Sequence, residues 1–264
     1  MDRLYRVKQG SGSRYLVERE GRILEAQPVD REVFSGYTTG AEVPGGLSGL
    51  HVLAPVRPSK FVCVGLNYHD HAAEMRKALP AEPMLFLKPS TSVLDPGQPI
   101  LLPPGVGRVD HEAELAIVIG RRAHRVVRAS AWDFVFGITC VNDVTARDIQ
   151  NREVQYTRAK GFDTFAPIGP CIAVGAGPDS RAVEGWVNGE RRQSSTTSQL
   201  IFPIDHLIEY ITFVMTLEPG DVISTGTPSG VGPLRDGEVV TVKVEGVGEL
   251  TNPVHDECRA AESG

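Results

Sequence analysis

The chain has no apolar run long enough to cross a bilayer, no block of lysine and arginine, no cysteine pair at CxxC spacing and no internal repeat. Each absence removes a class of function. The longest apolar stretch, residues 115–119, falls far short of the roughly 20 residues that a membrane-spanning helix needs. A formal net charge of −6, with no basic face to displace phosphate counterions, argues against a general nucleic-acid binder. Residues 1–14 carry Asp2, Arg3, Arg6 and Lys8 and no apolar core, which is not the pattern of a signal peptide. Of the four cysteines, Cys63, Cys140 and Cys171 lie inside apolar strand-like runs, and with Cys258 they read as reduced thiols of a cytoplasmic protein. What remains, 41% hydrophobic and 23% charged over 264 residues, is an ordinary globular composition for one large or two smaller domains.

Along the chain, residues 1–57 alternate short strand patterns with turns, as in a hairpin or meander, and predict a small β-rich N-terminal domain. Ala54-Pro55-Val56-Arg57-Pro58 marks its boundary, and residues 58–255 form the second domain, with 256–264 a frayed tail. In that second part, Lys60-Phe61-Val62-Cys63-Val64-Gly65 and 84–90 read as strands, with helical character over 66–77 between them. Ala129 to Phe134 reads as a brief helix. Thr145 is placed to cap a helix running to about residue 155, and Asp205 a second one with an apolar stripe at Leu207, Ile208, Ile211, Val214 and Met215. Asn188-Gly189 is the signature of a tight hairpin turn, and the polar run 193–199 reads as a loop.

The organising stretch is Val109-Asp110-His111-Glu112-Ala113-Glu114-Leu115-Ala116-Ile117-Val118-Ile119-Gly120, polar at its start and a buried strand at its end. Side chains two apart on a strand share a face, so Glu112 and Glu114 project together. Two carboxylates that close repel: one stays protonated, or a cation such as Mg²⁺ sits between them. The alternative is a solvated pair on a half-exposed edge. His71 and Glu74 are three apart on the helical segment after Gly65, where a carboxylate on one imidazole nitrogen leaves the other free to take a proton. Asp143, at the carboxyl end of the Gly137-Ile138-Thr139-Cys140-Val141 strand, is a candidate third oxygen ligand. Lys160, flanked by small and aromatic residues, needs an anion if buried: Asp163, a metal carboxylate or a substrate. Residues 225–232 form a glycine- and hydroxyl-rich loop that lacks the lysine of a P-loop but could hold a small carboxylate.

In order and spacing these pieces resemble the fumarylacetoacetate hydrolase superfamily from about residue 60 to 253. The matching stretches are Gly65-Leu66-Asn67-Tyr68 with Asp70-His71 and Glu74, Phe86-Leu87-Lys88-Pro89-Ser90, His111-Glu112-Ala113-Glu114, Asn142-Asp143-Val144-Thr145-Ala146-Arg147-Asp148, Lys160-Gly161-Phe162-Asp163 and Thr225-Gly226-Thr227-Pro228. The resemblance implies a mainly β, α+β fold, a mixed β-sandwich roll of the family's C-terminal domain type, assembled as a homodimer. It implies that Glu112, Glu114 and Asp143 bind Mg²⁺ (or Mn²⁺ or Ca²⁺) and that His71 and Glu74 sit on a lid. By the same match Lys160 contacts the metal site or substrate, and Gln150 and Thr227 hold a substrate carboxylate.

Such a site acts on α-keto or enol acids through a metal-stabilised enolate, which serves isomerisation, C–C hydrolysis or decarboxylation alike. Where the acylpyruvate-hydrolysing, oxaloacetate-decarboxylating branch tends to place arginine, this chain has Leu66. Gly-Leu-Asn-Tyr is instead typical of bacterial 2-hydroxyhepta-2,4-diene-1,7-dioate isomerases of aromatic-compound breakdown, and the expectation is that branch or a hydrolase beside it. A non-catalytic metal-binding protein would have no need of His71 and Glu74. A glycosidase would need carboxylates on two sides of a sugar, which the shared face of Glu112 and Glu114 makes awkward.

Overall fold

The computed structural model describes residues 1–30 and 32–258. Its largest sheet has twelve strands, and the Ala113–Ile119 strand lies near the middle of its ten-strand path. All seven residues of that strand are buried because both faces are covered. Leu115, Ile117 and Ile119 point into a core shared with Leu207, Ile208 and Ile211 of the Ile204–Val214 helix and with Val183, Val242 and Leu250 of a second, five-stranded sheet. Ala116 and Val118 point the other way, towards Leu4, Val17 and Phe34 from the first part of the chain. The period of two is present, but no water-facing side exists to make it visible.

On one side Ala113–Ile119 pairs antiparallel with Val135–Asn142, on the other with Val222–Ser224, which runs parallel to Phe61–Gly65. The sheet is therefore mixed, and strands predominate over short helices as the family resemblance implies. The N-terminal strands Arg3–Gln9, Gly12–Arg19, Arg22–Pro28 and Tyr37–Glu42 form the expected meander. Its first strand pairs with Ala166–Val174, so the meander continues the large sheet. Ala54 and Val56, from the Pro-rich segment after it, are buried in the same core. Among the described residues no helix is long and apolar enough to cross a membrane.

Several elements differ locally from the sequence reading. The helical character expected over 66–77 condenses to one short helix, His69–Glu74. Thr145 does not cap a helix: its backbone pairs with Asp110, and its hydroxyl donates to Asp143 O at 2.8 Å, closing the turn that presents Asp143. The helix after it is two short ones, Arg147–Arg152 and Thr157–Lys160. Asp205 lies in the first turn of the Ile204–Val214 helix, with Pro203 at the cap. Most of the polar run read as a loop is the outer strand Glu190–Thr196, whose one fully buried residue is Gln193. It follows Asn188 and Gly189 with φ of 50° and 79°, the two left-handed residues of the tight turn. The last strand, Gly248–Asp256, runs one residue into the segment read as tail, and residues 259–264 lie outside the described ones.

Candidate metal centre and active site

Glu112 occupies the one-residue gap between Val109–His111, a strand of a small three-stranded sheet, and Ala113–Ile119 of the large one. Its N–H donates to Asn142 Oδ1 at 3.0 Å and its carbonyl accepts from Asp143 N at 2.9 Å. These bonds tie the end of the Val135–Asn142 strand to the gap, and Glu114 lies two residues further on. Ligand oxygens of Glu112, Glu114 and Asp143 come within 4.8 Å of one another, and the three residues are at most 5% exposed.

The three are not equivalent. Lys160 Nζ donates to Glu112 Oε2 at 2.8 Å and Asp143 Oδ2 at 2.6 Å; Lys88 Nζ donates to Asp143 Oδ1 at 2.6 Å. Arg147 Nη2 donates to the other Glu112 oxygen at 2.7 Å. Burial alone would raise the Glu112 carboxyl, but the charges of Lys160 and Arg147 overcome it and hold the group below the usual carboxylate range. The same exchange works on Lys160: burial opposes its charge, and Asp143 and Glu112 more than restore it. Among the described residues Glu114 has only neutral donors, Ser224 Oγ at 2.6 Å and Gly226 N at 2.9 Å, both on Oε2. Burial, with repulsion from Asp143 and Glu112, pushes its carboxyl up to about 8. Gly226 presents its amide with φ of 101°, and a Cβ there would run into Asn67, so the position requires glycine.

Glu112 and Asp143 are each met by cationic side chains, whereas Glu114 is the carboxyl of the three with no cationic partner among the described residues. An all-oxygen set of this size and charge suits a hard divalent cation, which would replace the Glu114 proton. The residues present fit such an ion.

A cavity of about 440 Å³ opens over the cluster. Its acidic floor meets Arg147, Gln150 and Lys160, and an apolar wall includes Leu66, Met84 and Phe86. His71 lines the same cavity from the short helix, with Nδ1 3.1 Å from Glu74 Oε2. Glu74 accepts in turn from Gly230 N, at 3.1 and 3.2 Å to its two oxygens, which fastens the helix to the 225–232 loop. With Nδ1 engaged, Nε2 is the imidazole nitrogen left to exchange a proton.

All eight sequence-derived candidates belong to this one region. Glu112, Glu114, Asp143, Lys160, His71, Gln150 and Thr227 line the cavity, and Glu74 stands behind His71. Lys160 meets the acidic cluster, which decides among its candidate partners. Gln150 Oε1 accepts from Arg147 Nη1, so its amide N–H groups remain to donate. The Thr227 hydroxyl donates to Ala113 O at 3.0 Å and accepts from Gln193 Nε2 at 2.8 Å.

Four further residues of the site have no role in the sequence reading, although Lys88 and Arg147 stand in its matched motifs. Lys88 ends an apolar strand and, like Lys160, is buried and needs an anion. Arg147 lies in the matched motif of residues 142–148 with no role assigned to it, and Ser224 ends a short strand. Gln193 was lost in a polar run; its amide joins His111 Nδ1, Ala113 N, Thr227 Oγ1 and Pro228 O.

Known proteins share this architecture. The chain is 44% identical to the solved 5-carboxymethyl-2-hydroxymuconate delta-isomerase of Mycobacterium smegmatis, with a TM-score of 0.85 over 97% of this chain and 99% of that one. It is 41% identical to the 2-hydroxyhepta-2,4-diene-1,7-dioate isomerase of Mycobacterium marinum, with a TM-score of 0.87 over the same shares. Against the human mitochondrial oxaloacetate tautomerase it is 42% identical over 196 residues, 72% of this chain and 89% of that protein. A family model for the fumarylacetoacetate (FAA) hydrolase C-terminal domain matches residues 60–255. Fold, acidic cluster and matched residues agree: the chain belongs to the fumarylacetoacetate hydrolase superfamily.

Proposed function

We propose that this chain is a divalent-metal-dependent isomerase of 2-oxo dicarboxylic acids and their enols, of the 2-hydroxyhepta-2,4-diene-1,7-dioate type. One observation carries the reading: an imidazole oriented by a carboxylate faces the same cavity as three convergent carboxylates. Members of the superfamily use divalent metals, and we assign Mg²⁺ to Glu112, Glu114 and Asp143. When bound there, the ion supplies the positive charge that makes an enolate accessible.

The chain's own residues do the rest. Lys88 and Lys160 each donate to one oxygen of Asp143 and fix its carboxyl, so the donor set stays preorganised. Gln150 offers its amide and Thr227 its hydroxyl, released from Ala113 O, to a substrate carboxylate. His71 Nε2 takes the enol proton of a 2-hydroxydiene and returns a proton to a carbon further along the conjugated chain, leaving the 2-oxo form, or moves a proton between C3 and the 2-oxygen of a 2-oxo acid, while Glu74 holds the tautomer and steadies the imidazolium. Leu66, in the cavity wall, offers no guanidinium to a second carbonyl. That favours moving a proton over breaking a C–C bond. The named relatives point the same way, since two are isomerases and one a tautomerase. A homodimer working in aromatic-compound breakdown completes the reading.

The test compares turnover of a 2-hydroxydienedioate, oxaloacetate and an acylpyruvate, with and without chelator, in the wild type and in His71→Ala. The expected result is metal-dependent tautomer conversion of the first two, reduced about 10²- to 10⁴-fold in the variant. Full activity in chelator, or unchanged turnover in His71→Ala, refutes the reading. Pyruvate released from the acylpyruvate as the fastest reaction would make the chain a hydrolase instead.

A further inference from the structure

Away from the catalytic cavity lies a second hollow, of about 710 Å³. Its walls bring the first strand together with the segments that follow Lys88 and Lys160. Arg6, Arg57, Ser90, Thr91, Asp95 and Thr164 are the polar groups that matter there. Arg6 is only 7% exposed. Its Nε donates to Ser13 Oγ at 3.0 Å and its Nη1 to Ala54 O at 3.1 Å, both neutral acceptors. Nη2 makes no hydrogen bond among the described residues, and neither Arg6 nor Arg57 forms an ion pair with any described carboxylate.

An arginine this well covered ordinarily has a counter-ion. Here it has a second arginine: burial works most against the Arg6 guanidinium, Tyr15 partly offsets it, and the charge of Arg57 adds to the opposition. The acid on the wall, Asp95, already accepts from Ala54 N at 2.6 Å through Oδ1, and it offsets one of the two positive charges. One charge remains without a partner. Beside it stand the Ser90 and Thr91 hydroxyls on the rim and Thr164 Oγ1, which accepts from Leu101 N at 3.0 Å and still has its proton to give.

We propose that this hollow binds a small oxyanion, a phosphate ester or a carboxylate, held between the Arg6 and Arg57 guanidinium groups with the Ser90 and Thr91 hydroxyls. Forked donors around a single uncompensated charge are the donor set that such groups select. The site is separate from the catalytic cavity, with which it shares no wall residue.

Thermal denaturation of the chelated full-length protein, titrated in one arm with inorganic phosphate and in the other with succinate, tests this. The general salting-out effect of such ions acts on any variant alike, so the comparison is between wild type and Arg57→Gln. Arg57 is exposed, and its replacement leaves the core intact. The expected result is a saturating rise in the midpoint for wild type, lost in Arg57→Gln, and the anion that saturates first identifies the chemistry. Binding at the acidic cluster would survive Arg57→Gln. An equal rise in both proteins, or no saturable rise with either anion, overturns the proposal.

Discussion

Glu114 is two residues from Glu112, yet the two carboxyls are pushed in opposite directions, and the difference lies in their donors. Glu112 faces Lys160 and Arg147, whereas Glu114 faces a hydroxyl and an amide. With no cation beside it, burial and the neighbouring carboxylates push the Glu114 carboxyl up to about 8 from an ordinary 4.5. Between these values the folded state keeps a proton that the unfolded state has released, so this group's share of stability falls as pH rises through the window. Glu112 acts in the opposite sense: its contribution is present above its ordinary value and is lost as pH falls below it. A bound cation keeps Glu114 ionised and removes the first slope. The gap between the melting temperatures of metal-loaded and chelated protein is therefore expected to widen from about pH 5 to about pH 8. Calorimetry in both forms checks this, and a gap that does not change with pH contradicts it.

At the scale of elements, the short helix that carries His71 deserves separation from the sheets. Six residues cannot hold a helix by themselves in water. Leu66 before it and Arg76 after it both adopt left-handed backbone, with φ of 47° and 51°, conformations that non-glycine residues occupy only when their surroundings enforce them. At the base the enforcing group is Asn67, fully buried, which donates to Phe202 O at 3.1 Å and Thr225 O at 2.8 Å and accepts from Phe202 N at 2.8 Å. Asn67→Ala leaves those backbone groups unpaired, at about 1–3 kcal/mol for each buried one. Amide exchange over residues 66–77 is expected to accelerate and turnover to drop, with the sheet amides unchanged; mass-resolved exchange that leaves 66–77 as slow as before would reject it. The His71–Glu74 pair was legible from its spacing, because i,i+3 contact is local. The helix ends were not, since Asn67 reaches residues more than 130 positions away. Nor was the Glu190–Thr196 strand: as an outer strand it turns Arg191, Arg192 and Ser194 to water, and one buried glutamine among polar neighbours leaves no pattern.

For the molecule as a whole, the family and its site were legible because six motifs recur in order, and the composition excluded the competing classes. What joins the parts was not legible. Arg3 and Leu4 pair with Ala173 and Ile172, and nothing local in either segment specifies the other. The two-sided burial of Ala113–Ile119 likewise depends on what arrives from both ends of the chain.

The one-residue gap at Glu112 has a last consequence, concerning the order in which the protein fails. Its carbonyl and amide are clamped by Asn142 and Asp143 between two sheets, at the centre of the structure, where opening approaches global unfolding. His71 rests on a single turn and a half held by a few contacts. Warming is therefore expected to part His71 from the cavity well before it separates the three carboxylates, so the two halves of the candidate site come apart at different temperatures.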